Sequence, residues 1–170
     1  MAAVAACVTA SDGPRPPATV IVEPVTAPST TPPSAVVSPP PAEGEIDTGD
    51  LVDPEVMSVT VDGRGLLVAL ADTPRTRSRG LMEVDDLGDL DGMLFDLGSE
   101  RPVAFTMRNT LIPLTIYFFD ESGQGVGRLE MLPCEAEPCP TYSIDAPARY
   151  ALEVPAGSVD LGDRPTLELP

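Results

Sequence analysis

The stretch Met57-Ser58-Val59-Thr60-Val61-Asp62-Gly63-Arg64-Gly65-Leu66-Leu67-Val68-Ala69-Leu70-Ala71 decides how this chain reads. Its first five residues alternate apolar with polar, the period of two that turns one face of a strand toward a core. Asp62-Gly63-Arg64-Gly65 carries turn chemistry, and residues 66–71 are apolar almost without interruption. The stretch therefore predicts a β-hairpin that opens a domain. Beyond it, Thr73 suits a helix N-cap, Pro74 the first helical position and Gly80 a left-handed stop, so 75–81 is expected to form about two helical turns. Short β segments are expected at 93–97, 103–107, 115–119, 126–132, 149–154 and 166–169, separated by turn residues such as Asp120-Glu121-Ser122-Gly123. The expected fold is mainly β, a sandwich or barrel with one or two short helices; an α+β arrangement is the alternative.

Upstream the composition changes. Ten of the 21 prolines fall within residues 1–50, whereas all seven aromatic residues lie between Phe95 and Tyr150. Residues 11–44 offer too little large apolar surface to offset a backbone ordering cost of roughly 1–2 kcal/mol per residue. The chain is accordingly divided into residues 1–7, a Pro/Thr/Ser/Ala-rich spacer at 8–50, and a single β-rich domain at 51–170. An extended spacer at ~3.1 Å per residue could carry that domain roughly 100 Å from an anchor. Val4-Ala5-Ala6-Cys7 resembles the lipobox of bacterial lipoproteins, which makes Cys7 the expected lipidation site. Only six residues precede it, fewer than a signal peptide needs, so the start is expected to lie upstream of Met1. The expected address is the outer face of the cytoplasmic membrane, with the membrane touched through the lipid alone.

Ten basic residues, all Arg, stand against 27 acidic ones, and the net charge is −17. Such a surface repels phosphate backbones, so nucleic acid is excluded as the expected partner. The chain has no His, which excludes Ser-His-Asp triads, Cys-His pairs and His-ligated zinc. Cys134 and Cys139, with four residues between them and prolines on both sides, can form a disulfide that shapes a local loop. With Cys7 consumed by lipid, that pair comes out even, as in secreted proteins. A reactive dithiol or a soft-metal site would need a basic neighbour or helix N-terminus that the sequence does not show. Asp85-Asp86-Leu87-Gly88-Asp89-Leu90-Asp91-Gly92 lacks EF-hand spacing and reads as a solvated acidic loop. No cofactor or metal is implied, and a monomer is expected.

Three motifs remain: Arg79-Gly80-Leu81-Met82 with Gly92-Met93-Leu94-Phe95; Phe105 to Leu114, where a strand runs into polar residues and Pro113; and Pro138-Cys139-Pro140-Thr141-Tyr142 leading to Ala148-Arg149-Tyr150-Ala151-Leu152-Glu153-Val154. In this order, over residues from about Leu67 to Arg164, they closely resemble the prokaryotic family catalogued as domain of unknown function 192. The resemblance implies one compact β-rich domain and no established activity. This chain departs from the family pattern at Thr106, where Trp is common, and at Thr115, where Asp is common.

The candidate ligand-binding residues are Arg79, Met107, Arg108, Asn109, Thr110 and Tyr142. Asn109 and Thr110 can fix the turn before Pro113 through local side chain to backbone bonds. Alternatively, with Arg79 and Arg108, they line a pocket that reads a carbonyl, carboxylate or sugar hydroxyl, a positive island on an acidic chain. Met107, like Met82 and Met93, fits core filling better than soft-metal ligation. The expected role is a lipid-anchored module that binds a small ligand or an envelope protein. An uncharacterised enzyme using carboxylate or cysteine chemistry is the alternative, and a pocket enclosing Asn109 with a buried carboxyl of strongly raised pKa would favour it.

Overall fold

A computed structural model of the protein describes residues 45–170. The spacer up to residue 44 and the proposed lipidation site Cys7 lie outside the described residues. Strands β1 (Val56–Val61) and β2 (Arg64–Ala71) form the opening hairpin. Helix α1 (Pro74–Arg79) then crosses over to β3 (Gly92–Arg101), which pairs with β2 in parallel. The helix is six residues long, short of the two turns expected, because Gly80 leaves the helical path at φ +51°. Thr73 caps its start: the Thr73 hydroxyl accepts from the Thr76 amide, and the Thr76 hydroxyl accepts from the Thr73 amide.

After β4 (Ala104–Thr106) come β5 (Leu114–Phe119), β6 (Gly125–Met131), β7 (Thr141–Ser143), β8 (Ala148–Pro155) and β9 (Leu167–Glu168). Seven of the strands form one sheet in the order β6-β5-β8-β3-β2-β1-β9, curled into a half-barrel. Its two ends meet where the Gly125 amide donates to Pro165 O (2.7 Å) and the Leu167 amide to Gly123 O (2.7 Å). The strand expected at 103–107 is present as β4, but it stays outside this sheet and forms a separate ribbon with β7. The fold is therefore mainly β, with one short helix among the described residues.

Both faces of the sheet are buried. Val59, Val61, Val68, Leu94, Tyr117, Phe119, Leu152 and Val154 pack together on one face. On the other, Met93, Phe95, Leu114, Ile116, Phe118 and Ala151 lie beneath Leu81, Val84, Leu87 and Leu90, from the segment between α1 and β3. All six residues of β5 are buried, which is why that strand reads as a continuous apolar run rather than an alternating one. Strands β3 and β8 approach so closely that a Cβ on Gly92 would lie 2.1 Å from Glu153 O.

The folded body reaches back past the expected boundary at 51. Asp50 accepts from the Asp85 and Asp86 amides, the Asp47 amide donates to Asp89, and the Asp89 amide to Asp47 O. The acidic loop is thus a backbone-pairing surface for residues 47–50. Among the described residues no helix is long and apolar enough to cross a membrane.

Candidate functional site

Strand β8 lies between β5 and β3, so its side chains must alternate between two buried layers. Leu152 and Val154 take one layer. Glu153 therefore points into the other, at a register opposite Met93 and Ile116. There it lines a cavity of about 250 Å3. The C-terminal turn of α1 supplies Arg77, Ser78 and Arg79 to the cavity, and the ribbon supplies Phe105 and Thr106. Thr110 completes the lining. It is held by an isolated bridge to Met82 and by the bond from the Glu83 amide to Asn109 O (2.8 Å). Asn109 adopts φ +55°, a left-handed conformation that Asn tolerates, and so turns the chain there. Phe95 meets Phe105 edge to face at 5.2 Å, and Phe105 meets Phe118 at 5.7 Å, which braces the ribbon against the sheet.

Glu153 is 5% exposed, and among the described residues no side chain or amide hydrogen-bonds its carboxyl group. Burial pushes its pKa up from 4.5 to about 8. At neutral pH it is accordingly a neutral carboxylic acid with one O–H to donate. The ionised groups of the lining are then Arg77 and Arg79. Arg77 is braced by bonds to the backbone oxygens of Asp72 and Asp96. Arg79 has only a loose, solvent-exposed contact with Glu83 at 3.8 Å, an arrangement worth little in water. Asp96 is itself engaged elsewhere. Partial burial raises its pKa, but the hydrogen bonds from Arg149 and the Gly98 amide, with the charges of Arg149 and Arg77, more than reverse this and hold it below the usual range.

The DUF192 family, described as an uncharacterized ACR, matches residues 57–163. The chain belongs to this family. The DUF192 chain is similar to a solved structure from Sinorhizobium meliloti 1021 described as a candidate transcription regulator, with 31% identity and a TM-score of 0.62 over 70% of this chain and 97% of that one. It is also similar to a protein of unknown function from Novosphingobium aromaticivorans DSM 12444, with 25% identity and a TM-score of 0.61 over 74% of this chain and 94% of that one. No curated protein matches it.

Of the residues singled out from sequence, this DUF192 domain brings Arg79 and Thr110 together at the cavity. Met107 is buried in the apolar layer. Arg108 points to solvent and pairs with Glu137 at 2.9 Å. Asn109 is exposed and contributes its backbone. Tyr142 sits on β7 opposite Phe105, where its hydroxyl accepts from the Leu132 amide (3.3 Å). Arg108, Asn109 and Tyr142 therefore support the walls without lining the cavity. The raised carboxyl is present, but the pocket encloses Thr110 and not Asn109. Cys134 and Cys139 are joined by a disulfide with Cα atoms 5.5 Å apart, so neither offers a free thiol. Among the described residues no three His, Cys, Asp or Glu side chains are grouped to hold a metal ion. Sequence reasoning missed Glu153, although its signal was present: a lone carboxylate inside the apolar run Ala151-Leu152-Glu153-Val154.

Proposed function

We propose that this DUF192 domain is a small-molecule-binding module whose site is the Glu153 cavity, carried outside the cytoplasmic membrane on a spacer anchored at Cys7. The observation that carries the reading is the unpartnered acid at the cavity base. Its carboxyl oxygens face the cavity space, since among the described residues no buried side-chain oxygen lacks a partner, and a ligand oxygen there can accept its proton. Hydroxyls of Ser78, Thr106 and Thr110 beside the ring of Phe105 add the few convergent polar groups on an apolar wall that small-ligand sites combine. The net charge of −17 supports a partner other than nucleic acid.

Amide NMR of the full chain tests the binding reading. Adding a mixed panel of small neutral and anionic polar compounds should move the resonances of Gly80, Thr106, Thr110 and Glu153 together. A panel that leaves all four unmoved, or moves only distant surface amides, would overturn it. Intact mass measurement of the protein from its own cells tests the address, since a diacylglyceryl group on Cys7 is expected and a free thiol there refutes the anchor. An enzymatic role has one observation in its favour, the raised Glu153 acid, which is the form a general acid needs near neutrality.

A further inference from the structure

Resting on the binding reading above, we infer that the cavity takes a small neutral ring bearing several hydroxyl groups, of the size of one sugar ring, held by Glu153 and Thr110 at its base and by Ser78 and Thr106 at its mouth. Among the described residues three polar side chains are buried: Thr110, Thr115 and Glu153. The Thr115 hydroxyl donates to Glu130 at 2.9 Å. No described side chain or amide bonds the Thr110 hydroxyl or the Glu153 carboxyl, and yet no enclosed side-chain oxygen lacks a partner. The oxygens of both therefore reach open space, and the cavity of about 250 Å3 is the space that both residues line. A buried hydroxyl and a buried carboxyl facing one cavity give it a base with unused hydrogen-bonding capacity.

The class follows from what these groups can exchange. A carboxyl oxygen accepts a hydrogen bond whether or not the group is protonated, and a threonine hydroxyl both gives and takes one. A ligand hydroxyl also gives and takes, so it satisfies either partner, whereas a bare carbonyl only accepts. At the mouth the exposed Ser78, in the last turn of α1, and Thr106, at the end of β4, add two more hydroxyls. Oxygen groups on several sides of one space call for a ligand with several hydroxyls, because an enclosed group left unmatched loses its bond to water and gains none. The guanidinium groups of the lining are turned to other partners: Arg77 bonds the backbone oxygens of Asp72 and Asp96, and the exposed Arg79 leans toward Glu83. The apolar remainder, Leu81, Phe95 and Phe105, suits the carbon skeleton of a ring. The volume lies just under the lower end of small-ligand pockets, about 300 Å3, which fits one ring and not a chain of them.

Amide NMR titration of the full chain with the methyl glycosides of glucose, galactose, mannose and N-acetylglucosamine tests the inference. The controls are 2-methoxytetrahydropyran, the same ring without its hydroxyls, and cyclohexylammonium, a ring with one positive charge. At least one glycoside should move Gly80, Thr106, Thr110 and Glu153 together and saturably, and bind about tenfold or more tightly than either control. Thr110→Val keeps the shape of the base and removes its hydroxyl, so it should weaken that glycoside about tenfold. Thr106→Trp, at an exposed position, should plug the mouth and abolish the shifts while leaving the urea unfolding midpoint where it was. If a control binds as tightly as the best glycoside, or Thr110→Val binds it unchanged, the inferred class is wrong and the cavity still stands as a binding site. The same holds if no glycoside binds while the mixed panel moves the cavity resonances. If neither the glycosides nor that panel moves them, the class and the binding reading fall together.

Discussion

Replacing Glu153 with Gln should remove a pH dependence of stability that this one side chain imposes on the domain. The folded state holds the proton to about pH 8, against 4.5 for an ordinary Glu, whereas the unfolded chain releases it near the ordinary value. Between those limits the native state binds one proton more than the unfolded state, so stability must fall as pH rises. The contribution is fully present below about pH 4.5 and lost as pH climbs through about 8, with a slope of about 1.4 kcal/mol per unit and a total approaching 5 kcal/mol. That is a large share of the roughly 5–15 kcal/mol that holds a typical domain together. The window is otherwise quiet. The chain has no His, and the shifted aspartates Asp50, Asp96 and Asp120 are lowered, so their contributions have the opposite sign and disappear only as pH falls below about 4. Urea unfolding at unit steps from about pH 5 to pH 9 would measure it. Wild-type stability should decline across the series, while Glu153→Gln should start lower, by about 1–3 kcal/mol for its own unpaired amide, and stay level. Two parallel curves would refute the reasoning, because they would show that Glu153 titrates at its ordinary pKa or is hydrated in the folded state.

Gly92→Ala should prevent β3 and β8 from pairing, since its Cβ would fall 2.1 Å from Glu153 O; we expect a loss above about 3 kcal/mol, read as a collapsed melting transition. Replacing Cys134 and Cys139 together with Ser should cost about 2 kcal/mol by loop entropy and leave the far-ultraviolet circular dichroism unchanged, because the bridge closes a loop outside the main sheet. Arg149→Met should cost about 2 kcal/mol at neutral pH, because Arg149 bonds the half-buried Asp96 and stacks on Tyr150 at 4.3 Å. That difference should shrink in acid, below the ordinary Asp range, as Asp96 takes up its proton, and chemical denaturation at neutral and acid pH checks it. Glu153→Leu should raise stability by about 1–2 kcal/mol at alkaline pH, since an apolar side chain carries no unpaired polar group, while abolishing the cavity shifts in NMR.

The local grammar of the domain was legible because it depends on neighbours in sequence. Thr73, Pro74 and Gly80 marked the helix, and the alternation before Asp62-Gly63 marked the hairpin; each of these acts within a few residues of itself. What stayed hidden is non-local. That β4 leaves the main sheet depends on β7, 37 residues further along the chain from Ala104 to Thr141, and a three-residue strand has too short a pattern to announce itself. The attachment of residues 47–50 to the 85–89 loop is built from backbone bonds and turn-type acceptors, which any Asp-rich pair of segments could supply. For the site, Arg79 and Thr110 were found through side-chain chemistry placed near a turn. Arg108 and Asn109 belong to the same stretch yet face outward, since successive residues of a turn cannot all point into one cavity.

The topology also explains why the acid falls where it does. A carboxyl on an edge strand or a loop reaches water and escapes most of the desolvation that raises a buried acid's pKa. β8 has neighbours on both sides and packed layers on both faces, so any side chain at position 153 must enter the layer that α1 and the ribbon roof over. The gap between that helix and that ribbon leaves the group a neighbouring space, and the same gap is where the helix ends and supplies Arg77 and Arg79 to the lining. The short helix and the detached ribbon, the two elements that contribute least to the sheet, are thus the ones that turn a buried strand position into a cavity with a proton donor at its base and positive charge at its wall.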